Sequence, residues 1–133
     1  MASIFAFRTR SPDRDRETDV TRFEQLARSL DQLTSEIDAE RTGIRNRYEA
    51  VSANAAFLVE AMDNSEASSR RADDMDRWTE SLKTCLRRIE ALGRQTELIA
   101  GLRHALDTFV DEGRKADERS SAASAPEEVR HRP

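Results

Sequence analysis

The chain has 133 residues, room for one ordinary domain. Charged residues make up 36% and aromatics 5%, which argues against a deep globular core. The net charge of -4 offers no global attraction to nucleic acid. With only 4 Gly and 3 Pro, the middle of the chain is nearly free of helix breakers, so the expected class is all-α.

Residues 1–19 read as a disordered leader. Ile4, Phe5 and Phe7 precede Arg8 and Arg10, the reverse of a secretory signal, in which positive charge comes first. A frayed terminus is the plain reading; a short aromatic and basic peptide making weak membrane contact through residues 1–10 is the sharper one. From residue 8 to residue 19 charges alternate in sign around Pro12 without an apolar row.

The first helix is expected over 21–62. Thr21 and Glu24 have the spacing of a capping box. Phe23, Leu30, Ile37, Ile44, Val51 and Leu58 then recur every seven residues, the period of a helix that winds around another helix. The companion row reads as Leu26 and Leu33, three residues after their partners, and later as Tyr48, Ala55 and Met62, four residues after. Such a change of phase implies an inserted half-heptad near Glu40 to Gly43, a locally loosened, polar waist.

Residues 63–73 lack apolar spacing and are rich in Ser, Asn and Asp, so a turn is expected there, with Asp73 or Asp74 as the next N-cap. The rival is one uninterrupted rod. The second helix is expected over 74–111: Trp78, Cys85, Leu92, Ile99 and Leu106 repeat every seven, joined by Met75, Leu82 and Ile89. After Ile89 the apolar surface is read as moving to Leu102 and Phe109. Gly113 stands where a C-cap glycine belongs, and 113–133 read as a disordered tail. Folding back about residue 68 within the hairpin domain, 20–112, brings Met62 to Met75, Ala55 to Leu82, and Gly43 level with Gly93.

The resulting expectation is an antiparallel helical hairpin of two long coiled-coil-like helices. More apolar residues remain than one seam can hide, so the hairpin is expected to dimerise into a four-helix bundle. Phe57, Val59, Met62, Met75, Trp78, Leu86, Leu98 and Leu102 are the candidate partner-binding residues, with Phe57 and Trp78 as aromatic anchors. A second candidate surface is a mid-hairpin basic belt for an anionic partner: Arg41, Arg45, Arg47, Lys83, Arg87, Arg88 and Arg94. Intrahelical pairing of Arg45 with Glu49 and of Glu90 with Arg94 competes with that reading. The belt also has no aromatic residues for base stacking, so nucleic acid is not favoured.

Catalytic chemistry is not expected. His104 has Gly101 three residues before it, and Glu128 with His131 falls in the tail, so no metal-binding Glu-x-x-His pair lies on a helix. Cys85 occupies a seam position and reads as a small buried hydrophobe. One cysteine excludes an internal disulfide framework and fits a reducing compartment, hence an expected cytoplasmic location. No apolar run spans a bilayer, and no cofactor motif is present. Gln95, Thr96, Glu97 and Leu98 are similar to the Gln-Thr-x-Leu stretch of the bacterial chemoreceptor signalling hairpin, but the glycine-bearing tip and the returning helix are missing, and no family follows. The expectation is a non-enzymatic scaffold, adaptor or chaperone for a protein partner.

Overall fold

The structure is a computed structural model that describes residues 11–62 and 68–124, with Met62, Ser68 and Ser69 described by their backbone alone. The described residues form two helices, α1 (Pro12–Met62) and α2 (Ser68–Ala123). The expected capping box, leader, turn and tail yield at several points to longer helices. α1 opens nine residues before Thr21: the carbonyl of Ser11 accepts from the Asp15 amide at 3.1 Å, and Pro12 takes the first helical position, where its missing N–H costs nothing. Asp13 and Asp15 complement the positive end of the helix dipole. Thr21 is therefore not a cap; its hydroxyl donates to the carbonyl of Glu17, one turn back.

α2 begins at Ser68, ahead of Asp73 and Asp74, and the expected turn overlaps the described residues only at 68–73, which are helical. It continues through Gly113, which has no positive φ and so does not act as a C-cap. Charge pairs at helical spacing accompany this extension: Arg114 lies 4.0 Å from Asp111 and 3.6 Å from Glu118. Ala125 to Pro133 and residues 1–10 lie outside the described residues.

The chain divides into two compact units. One comprises 1–29 with 102–133; the other comprises 30–101. Within each, α1 and α2 run antiparallel and pack against one another, the arrangement of a helical hairpin. In the first, the rings of Phe23 and Phe109 meet edge-on with centroids 5.3 Å apart, and Arg16 reaches Asp117 at 3.9 Å. In the second, Arg71 donates to the carbonyl of Ala61 at 3.1 Å, and Arg88 holds Glu40. Arg41 lies over Gly93.

Among the described residues the buried ones are Leu30, Ile37, Cys85, Leu92, Ile99 and Leu106, all drawn from the two every-seven rows. Leu92 alone has no exposure. The companion rows differ from expectation. On α1 the half-buried companions are Ala27, Thr34, Arg41, Tyr48 and Ala55, always four residues after the main row. Leu26 and Leu33 are 49% and 44% exposed. α1 thus keeps one phase throughout and contains no inserted half-heptad. α2 behaves the same way, with Leu82, Ile89, Thr96 and Arg103 half-buried and Leu102 exposed.

The seam tolerates these polar residues for identifiable reasons. Thr34 and Thr96 donate to the carbonyls of Leu30 and Leu92, each 3.0 Å away, so neither hydroxyl goes unsatisfied. Arg41 lies beside a glycine: a Cβ added at Gly93 would sit 3.7 Å from its Nη2. The expected waist is a place where a long polar side chain crosses a residue without one.

Candidate interaction surface

Two separate helical faces follow from this packing. The seam rows face the partner helix, and most of the large exposed apolar side chains stand beside these rows. In the unit of residues 30–101, Phe57 and Val59 flank Leu58 on either side, and Phe57 is 72% exposed. Leu33, Leu86 and Leu98 are exposed in the same unit. In the other unit the exposed apolar side chains are Val20, Leu26, Leu102, Phe109 and Val110.

Of the residues singled out for partner binding, Phe57, Val59, Leu86, Leu98 and Leu102 are exposed. Met75 and Trp78 lie on the seam side of α2 and are half-buried there. The side chain of Met62 lies outside the described residues. Leu26, Leu33 and Phe109 are exposed apolar residues that periodicity assigned to the seam or its continuation. The signal that separates them is strict spacing: each stands three residues after the every-seven row, whereas all half-buried companions stand four after it.

The basic belt falls within the unit of residues 30–101, and several of its members already have partners. Arg88 grips Glu40 with two bonds, Nε to Oε1 at 2.8 Å and Nη2 to Oε2 at 3.1 Å. That bidentate contact holds the Glu40 carboxyl below its ordinary value of 4.5 and raises the Arg88 guanidinium. Arg94 lies 3.2 Å from Glu90, as the expected i,i+4 pairing has it, and Lys83 3.3 Å from Glu80. Arg41 is half-buried in the seam, its Nε buried without a hydrogen-bond partner. Arg45, Arg47 and Arg87 are exposed.

Cys85 is buried within the seam and His104 is exposed; His131 lies outside the described residues. Among the described residues no three His, Cys, Asp or Glu side chains group as metal ligands, and no helix is long and apolar enough to cross a membrane.

No protein-family model, curated protein or solved structure matches the chain. Within each unit α1 and α2 pack through their seam rows and leave large apolar side chains exposed.

Proposed function

We propose that this protein is a non-enzymatic interaction module, a helical hairpin that self-associates as a dimer forming a four-helix bundle and acts as scaffold, adaptor or chaperone for another protein. Phe57 carries the reading. A phenylalanine 72% exposed on a helix keeps most of its surface in water, while large aromatics contribute heavily when a partner covers them. Val59, Leu86 and Leu98 are further exposed apolar residues of the same unit. An anionic partner held by the basic belt is set aside because Arg88, Arg94 and Lys83 lie beside carboxylates and Arg41 lies in the seam.

Phe57→Asp tests this reading. Purified wild-type chain should retain a protein partner in a crosslinking capture, and the variant should lose it while its circular dichroism is unchanged. Equal capture by both, or binding to DNA that weakens steeply between two salt concentrations, would overturn the assignment.

A further inference from the structure

Within the unit of residues 30–101 the every-seven rows hold α1 to α2, but they do not say at which level the helices meet. The rows are Leu30, Ile37, Ile44, Val51 and Leu58 on α1, and Trp78, Cys85, Leu92 and Ile99 on α2. Sliding one helix past the other by seven residues, about 10 Å, leaves each row against an apolar row. Thr34 and Thr96 are equally indifferent, because each hydroxyl bonds its own helix. The connection permits the slide as well: the chain from residue 62 to residue 68 can reach about 20 Å. What distinguishes one register from the next is the set of polar residues that reach across.

Two such contacts stand side by side in this unit. Arg88 grips Glu40 with bonds of 2.8 and 3.1 Å, and Arg41 crosses Gly93, where an added Cβ would sit 3.7 Å from Nη2. We infer that Glu40, Arg41 and Arg47 on α1, with Arg88 and Gly93 on α2, form a register lock that admits the observed alignment and rejects both alignments one heptad away.

The two neighbouring registers fail for different reasons. A slide in one direction sets Leu86 beneath Arg41 in place of Gly93, so a branched side chain fills the space the guanidinium occupies. Glu40 then faces Ser81, and Arg88 faces Leu33. Arg47 comes level with Asp74, a surface pair that contributes little. A slide in the other direction sets Ala100 beneath Arg41, and a Cβ there makes an ordinary contact. That register is opposed by charge: Arg47, seven residues after Glu40, takes its place against Arg88, while Glu40 faces Gln95. A polar residue in a seam specifies register at a cost in stability, and the buried, unpartnered Nε of Arg41 is that cost. The lock also decides which α2 residues stand level with Phe57.

Spin labels on Ser35→Cys and Arg77→Cys, both exposed, read the register in the full chain, with Cys85→Ala in every sample. With the lock intact the labels should give one distance. Glu40→Ala with Arg41→Leu removes both contacts, since a leucine at 41 packs above Gly93, Leu86 or Ala100 alike. A second distance, about 8–10 Å from the first, should then hold at least about a tenth of the molecules, with circular dichroism unchanged. Gly93→Leu with Arg47→Glu should move the register outright, because Arg41 then finds room above Ala100 and Arg88 finds a carboxylate at position 47. The whole distribution should lengthen by about 8–10 Å. A single, unshifted distance in either folded variant overturns the lock and leaves the register to the connection between the helices. Two distances with the lock intact overturn it as well.

Discussion

Arg41 occupies a seam position that a hydrophobic residue would ordinarily fill, and its Nε is buried without a partner. A buried polar atom left unsatisfied costs about 1–3 kcal/mol. Arg41→Met keeps most of the stem and removes the orphan, so urea unfolding should show a gain of about 1 kcal/mol; a loss would mean that the guanidinium contributes binding the seam needs. Glu40 contributes in a pH-dependent way. Arg88 depresses its folded-state pKa, so the stabilisation is present above the ordinary carboxylate value and is lost as pH falls through the lowered one. The difference in melting temperature between wild type and Glu40→Gln should shrink steadily as pH drops below 4.5. A difference that persists undiminished in acid would exclude the ion pair as its source. Both side chains are nearly half exposed, so added salt should weaken the effect as well.

At the scale of the helix, position within the repeat decides burial more sharply than hydrophobicity does. Leu92 and Leu33 are the same residue type, yet Leu92 has no exposure and Leu33 is 44% exposed. Leu92→Ala should cost roughly 2–5 kcal/mol in chemical denaturation, through lost transfer energy and a cavity. Leu33→Ala, measured at low protein concentration, should stay within about 0.5 kcal/mol. Comparable costs at the two sites would return Leu33 to the core. The every-seven rows were legible in the sequence and supply every buried residue. The companion rows were not, because Leu26 and Leu33 outscore Thr34 and Arg41 on hydrophobicity while standing one position away from the buried stripe. A threonine can bond its own preceding turn and an arginine can cross a glycine, so the seam accepts both. Neither compensation shows in an apolar pattern.

For the molecule as a whole, one seam buries little. Among the described residues six are buried and one of these completely, whereas ten large apolar residues stand exposed. The proposed dimer predicts that the thermal midpoint rises as protein concentration goes from about 1 to about 100 μM, as mass action requires of a folded dimer in equilibrium with unfolded monomers. A midpoint independent of concentration over that range would withdraw the proposed dimer. Calorimetry at matched concentrations of wild type and Leu102→Glu separates this from a simple change in intrinsic stability.

The two long helices and the main row of the seam were set by the sequence alone, since a seven-residue period requires no distant information; their antiparallel pairing was the reading preferred over one uninterrupted rod. Phe57, Val59, Leu86, Leu98 and Leu102 were legible as apolar residues outside the row, though not their degree of exposure. Three matters awaited the tertiary structure. Helix ends depend on local bonds such as Ser11 to Asp15, which compete closely with disorder in so charged a stretch. The companion row depends on which of two neighbouring positions meets the partner helix, as Leu33 and Thr34 show. Met75 and Trp78 look like anchors by type, but their place along the seam puts them half out of reach, because a side chain can face the neighbouring helix or an outside partner with its full area, not both.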